Sequence, residues 1–221
     1  MEIEKYKPCK EAIEYRKQFA SFEEAWEQCP RGDWMLWLAQ KLGVDKRKLT
    51  LVKGLCANTI RHMLKDKRGI DAIDIAIKYG KGKATDQELK KAAKKATAAA
   101  TDSAKEASIF NFNQEGTPPT IDSMIHYNEN YAAEAADAAV QIGIDASYVP
   151  GFTADAFVFE NEDINVINIL KNISEKKSIP LPKNKIIEKN NKELNNQIET
   201  SDICRKILTD DVFEKIKSIK K

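Results

Sequence analysis

No apolar run in this chain approaches the roughly 20 residues needed to span a bilayer, so nothing in it reads as a membrane helix. Histidine is scarce, with only His62 and His126, and the four cysteines at 9, 29, 56 and 204 form no close pair. Zinc sites usually bring ligands in close pairs, and disulfide frameworks need a denser pattern. The expectation is therefore free thiols, no metal and no cofactor. No Gly-rich phosphate loop follows a strand, and no paired-carboxylate metal motif occurs. Neither histidine has a Ser, Cys or Asp at a recognisable triad spacing. Cys56 and His62 could in principle form a nucleophile pair of a small hydrolase, but their spacing sets them nearly opposite each other on one helix. The chain reads as a non-enzyme. Its N-terminus, MEIEKYKPCK, is charged and lacks an apolar signal region, which predicts a cytoplasmic protein.

The most informative scarcity is of one sign of charge. From Thr120 to Asp163 there is no Lys or Arg, against nine acids. From Lys78 to Lys105 the balance inverts, with eight lysines against three acids, although the net charge of the whole chain is only +2. Segregation of this kind bears on partners and association rates rather than on fold. Two readings follow. In one, Glu134 and Asp137 neutralise Lys90, Lys91, Lys94 and Lys95 on a neighbouring helix. In the other, the acidic segment faces a basic partner. Its candidate partner-binding residues are then Glu160, Glu162 and Asp163, in an expected loop where helix packing does not fix the sequence, together with Asp155.

What the chain does contain is helix signal. Its 221 residues suit one all-α domain of eight or nine helices. Pro8 suits a first helical position, ahead of Cys9, Ala12, Ile13, Arg16 and Phe19. Ser21 with Glu24 is a capping box, and Phe22, Ala25, Trp26 and Cys29 share one helical face. Pro30-Arg31-Gly32 ends that helix, and Asp33 is the natural N-cap of the next. Arg31-Gly32-Asp33 also matches the tripeptide read by adhesion receptors, but without an export signal it reads as a turn and a cap. Trp34 to Leu42 is apolar nearly all round, so this tryptophan-rich pair is the expected hub of the packing. Gly43 fits the left-handed position that follows.

Asp45 caps a long helix expected to run through Leu49, Val52, Cys56, Ile60, Met63 and Leu64. Gly69 ends the next connection. Ile70, Ile73 and Ile77 mark a further helix closed by Gly80 and Gly82. Thr85 with Glu88 repeats the capping box and opens an alanine-rich helix to about Ser108. Residues 111–119 read as a loop, and Thr120 caps a second alanine-rich helix ending near Gly143. Small side chains should let these two helices approach closely. Residues 145–190 read as an irregular insertion or lid. Tyr148–Phe152 is expected as a loop, 157–170 as a short strand and then a helix, and Ser178–Pro182 as non-helical. Leu194, Ile198, Ser201, Cys204 and Leu208 return to helical spacing, and Thr209 or Asp210 caps a last short helix.

CKEAIEY at Cys9–Tyr15, SFEEAWEQCPRGDWMLWL at Ser21–Leu38 and the alanine-rich helices after Thr85 resemble the immunity-protein family of bacterial polymorphic-toxin systems. SDICRKIL at Ser201–Leu208 is similar to that family's closing helix. The resemblance covers roughly residues 8–143 and 194–212, while 108–120 and 145–190 are longer and less Ala/Tyr-rich than the family pattern. It implies an all-α cytoplasmic protein whose partner is a cognate toxin domain, neutralised through a protein–protein interface. A basic, nuclease-type toxin would suit the acidic segment. No catalytic residue is implied. The alternative is an α-helical adaptor or nucleic-acid-associated protein that uses the Lys-rich helix 83–105; lysines at helical spacing can track phosphates, although interleaved aromatics are lacking.

Overall fold

A computed structural model describes residues 3–112, 121–142, 144–156 and 183–219. Among them are nine α-helices and no strand. In chain order these are α1 (Lys10–Lys17), α2 (Phe22–Glu27), α3 (Gly32–Lys41), α4 (Lys46–Asn58), α5 (Lys67–Gly80), α6 (Asp86–Phe112), α7 (Ile121–Val140), α8 (Tyr148–Ala156) and α9 (Lys183–Ile219). Single 3-10 turns occupy Ile3–Tyr6 and Arg61–Met63.

Local chemistry sets most of the helix ends. Ser21 Oγ accepts from Glu24 N at 3.0 Å, while Glu24 Oε2 reaches back to Ala20 N. The second capping box is fully reciprocal: Thr85 Oγ1 accepts from Glu88 N at 3.2 Å, and Glu88 Oε2 accepts from Thr85 N at 2.8 Å. Asp45 takes the free amides of Arg47 and Lys48. Gly43 and Gly82 both sit at φ +73, where a side chain would be strained. After α3, Gly43 N donates to Gln40 O and Val44 N to Ala39 O, which closes the helix in a Schellman motif.

Several starts and stops differ from the sequence reading. Pro8 precedes the N-cap of α1, which is Cys9. The N-cap of α3 is Arg31 rather than Asp33, and it makes no side-chain cap bond. Asp33 stands in the first turn instead, held by two hydrogen bonds from Arg31 at 2.8 and 2.6 Å. A strong bidentate pair outcompetes a cap, and the carboxylate still lies where the helix dipole favours it. The helix after Asp45 stops at Asn58, so Met63 and Leu64 belong to the following turn. Gly69 does not end a connection; Asp66 caps α5, and Gly69 is buried inside it. Tyr148–Phe152 is helical, with Pro150 in the first turn of α8, where the missing N–H has no intrahelical acceptor to lose. Thr209 caps nothing, because α9 runs through it unbroken. Its hydroxyl bonds back to Arg205 O and accepts from Trp26 Nε1 at 2.9 Å. The expected strand and helix in 157–170 and the non-helical Ser178–Pro182 lie outside the described residues. So does the expected loop from residue 113 onward, while 111 and 112 belong to α6.

The hub is α4, not the tryptophan-rich pair. Val52, Cys56 and Ala57 on α4 are fully buried, and the helix packs against α3, α5, α7, α8 and α9. Phe22, Ala25, Trp26 and Cys29 are buried together, as their spacing requires, but Trp34 and Trp37 are only half-buried and pack on the rim of the core. The most extensive helix–helix contact is α6 on α7. Ala93, Ala96, Ala99 and Ala100 on one side and Ala132, Ala135, Ala136 and Ala139 on the other are all buried, so small side chains carry that close approach. Helix α9 lays Asn196, Thr200, Cys204, Leu208, Val212 and Ile216, a run of every fourth residue, against the rest of the protein.

One glycine is demanded by proximity. A Cβ on Gly32 would stand 2.6 Å from Thr200 Oγ1 and 2.8 Å from the Thr200 carbonyl carbon. The Arg-Gly-Asp tripeptide is thus accounted for by packing: Gly32 lets α9 approach, and Arg31 binds Asp33 while lying 4.7 Å over the Trp34 ring. Among the described residues no helix is long and apolar enough to cross a membrane.

Candidate functional site

Helices α7 and α8 pack against each other, which brings Glu134 and Asp155 close to Tyr131. Tyr131 on α7 lies 6.5 Å from Phe152 on α8, and Phe152 stacks on Tyr148 at 5.8 Å, so three rings form a short ladder. Tyr148, at its end, is 54% exposed. The ladder exists because α8 is a helix, which places residues 148 and 152 one turn apart on the same face. Asp155 is exposed on the same helix.

Glu129 is paired with Lys65. Glu134 accepts from Asn130, Asp137 from Thr97 and Gln141, and Asp145 from the amide and hydroxyl of Ser147, all neutral donors. Partial burial raises the Glu134 carboxyl above its usual range, and the neighbouring charges of Asp137 and Asp155 push it the same way. Burial also raises the Tyr131 phenol, reinforced by Asp155 and Glu134. Carboxylates that disturb one another in this way mark a local negative potential. Of the four sequence-derived candidates, Asp155 is placed on this surface. Glu160, Glu162 and Asp163 lie outside the described residues.

The α6 lysines are not part of that balance. Lys90, Lys91, Lys94 and Lys95 are exposed, and contact between the rims of α6 and α7 runs instead through Thr97, Asp137 and Gln141. Lys78, Lys91 and Lys95 line a groove of about 260 Å³ between α5 and α6. Two of its carboxylates, Asp74 and Asp71, are already paired with Arg61 and Lys67.

Groups with chemical potential elsewhere are held by structure. All four cysteines are free thiols, with Cys9 exposed and Cys29, Cys56 and Cys204 buried. Cys56 is wholly buried in α4, whereas His62 lies in the turn beyond it, so the two do not share a helix. His126 Nδ1 is 3.9 Å from a Glu106 carboxylate oxygen across α6 and α7. No group of three metal-capable side chains occurs among the described residues. The least expected group is Lys53, which is buried on α4. Its ammonium donates to Ala138 O at 3.0 Å and Gln141 O at 2.5 Å, where α7 ends. A cation there suits the negative end of the helix dipole, yet burial pulls its pKa down to about 8, against the opposing charge of Asp137. Its position in an otherwise unremarkable helical pattern gave no sign of this.

No family model, curated protein or solved structure matches the chain.

Proposed function

We propose that this chain is a cytoplasmic immunity protein that binds and neutralises a toxin domain through a protein–protein interface, without catalysis of its own. The observation that carries the reading is the α7–α8 surface: a ladder of half-buried Tyr131 and Phe152 ending in the exposed Tyr148, with the carboxylates of Glu134 and Asp155 beside it. Aromatic anchors inside a charged rim are the usual anatomy of a specific interface. Carboxylates at such a surface steer a basic partner and speed its association, and toxin domains that attack nucleic acid need a basic face. The resemblance carried by residues 9–38 points the same way.

The test is to identify a toxin-domain gene adjacent to this chain's own gene and co-express the two. The reading requires rescue of growth and co-purification of the two products. Asp155→Lys combined with Tyr148→Ala should slow association and lower its salt sensitivity while the thermal midpoint holds. Rescue and on-rate unchanged in that variant would remove this surface from the account. Absence of any complex would remove the function.

A second reading rests on the exposed α6 lysines and the α5–α6 groove, which suit a polyanion. On that reading the chain is an adaptor that contacts nucleic acid, and its retention on a mixed-sequence oligonucleotide would fall steeply with salt.

A further inference from the structure

The tryptophan-rich block opens onto a cavity of about 350 Å³ between α1, α2, α3 and the segment that precedes α1. That volume falls in the range of small-molecule sites. All three tryptophans of the chain line it. Trp26 is committed to the core, buried and with its indole N–H given to Thr209. Trp34 and Trp37 are half-buried, and neither gives its indole N–H to a protein acceptor among the described residues. Their rings leave apolar wall beside polar donors, which is how such sites fix orientation.

The charges at this cavity do not balance. Its cations are Lys7, Arg16 and Arg31, and its one carboxylate is Asp33. Arg31 and Asp33 satisfy each other through two hydrogen bonds. Arg16 gives one N–H to Phe19 O and pairs with no carboxylate among the described residues; nor does Lys7. Lys7 is also held at φ +57, the only non-glycine with a positive φ among the described residues, and such conformations collect at ligand clamps. The wall supplies no compensating anion: burial raises the Cys29 thiol to about 11 and the Tyr15 phenol to about 12, so both stay neutral at physiological pH.

We propose that this cavity binds a small apolar anion, with its hydrocarbon body against Trp34 and Trp37 and its carboxylate at Lys7 and Arg16. Ser147, the residue before Tyr148, also lines the cavity, so the site adjoins the start of α8, but none of its anion-binding groups belongs to the ladder and the proposal does not rest on the toxin-binding reading. Because every tryptophan of the chain lines the cavity, intrinsic fluorescence excited at the indole edge reports its occupancy without a label.

The experiment titrates the full chain with 3-phenylpropanoate and, in parallel, with the neutral 3-phenylpropan-1-ol. The expected result is a saturable change in tryptophan emission, with the carboxylate about tenfold tighter than the alcohol, as one charge-assisted contact allows. Lys7→Glu, at an exposed position, should erase that preference and keep the thermal midpoint. Ala12→Phe, which fills the cavity from α1, should weaken both probes. No saturable change with the carboxylate in the unmodified chain would overturn the proposal. So would equal affinity for acid and alcohol, or a preference that survives Lys7→Glu.

Discussion

Gly32→Ala should destabilise the protein although Ala is the better helix former. Gly32 opens α3, and its missing Cβ is the space into which α9 packs. An added methyl would stand 2.6, 2.8 and 2.9 Å from Thr200 Oγ1, carbonyl carbon and Cβ. The second of these is backbone, so no rotamer change clears it. The helices must separate by several tenths of an ångström, which loosens the buried contact of Cys204 Sγ on Gly32 O at 3.5 Å. Overpacking of this kind costs about 1–3 kcal/mol, and the helix-propensity gain returns at most about 1 kcal/mol. The net loss is about 1–2 kcal/mol, or a fall in Tm of roughly 2–8 °C for a domain of this size. Gly151→Ala is the internal control: it too is helical, but a Cβ there meets nothing within 4 Å, so the same change should stabilise by up to about 1 kcal/mol. Denaturant melts of both variants decide the matter. Adding Thr200→Ala to Gly32→Ala should recover only part of the loss, since it clears the oxygen and leaves the backbone contact. Equal and favourable effects at positions 32 and 151 would refute the close approach of α3 and α9.

Two further outcomes follow from the interior. Lys53 has its pKa depressed to about 8 by burial, against about 10.4 in an unfolded chain. Between those values the unfolded state holds more protons, so Lys53 makes stability rise with pH across that window, by up to about 3 kcal/mol. The buried Cys29 and Tyr15 act in the opposite sense, because their folded pKa values are raised. The stability difference between the unmodified chain and Lys53→Met cancels them. It should grow in favour of the unmodified chain from pH 8 to pH 10.5, and a flat difference would contradict the buried charge. Among the tryptophans, Trp26→Ala should cost about 3–5 kcal/mol, plainly more than Trp37→Ala, since Trp26 is 3% exposed and Trp37 half-buried; equal losses in thermal melts would restore the tryptophan pair as the hub.

The all-α architecture was legible because its signals are local. Both capping boxes, the Asp45 cap and the two left-handed glycines are chemistry within a few residues, and each acts as its spacing requires. Readings failed where a competing partner, near or far in sequence, or the position within a helix decided the outcome. Asp33 was expected to cap α3, but Arg31, committed also to the Trp34 ring, claims its carboxylate. Thr209 was expected to start a helix, but Trp26, far away in sequence, gives its hydroxyl a partner inside a continuous α9. Pro150 argued for a loop, although Pro is harmless in the first turn of a helix. The tryptophan block looked like pure core by composition, and only tertiary placement shows Trp34 and Trp37 on the wall of a cavity. At the candidate interface, the acidic bias was visible in the sequence. The aromatic ladder was not, because it depends on α8 being a helix.

The central claim is that the α7–α8 surface seats a basic toxin domain. It is tested most directly by the association rate of the purified chain with a toxin domain encoded beside its own gene, where one is found, measured across a series of salt concentrations. The account predicts rapid association that slows steeply with added salt, and a slower, nearly salt-independent rate for Asp155→Lys. A complex that forms at the same rate at every salt concentration, or one indifferent to Asp155→Lys, would contradict it.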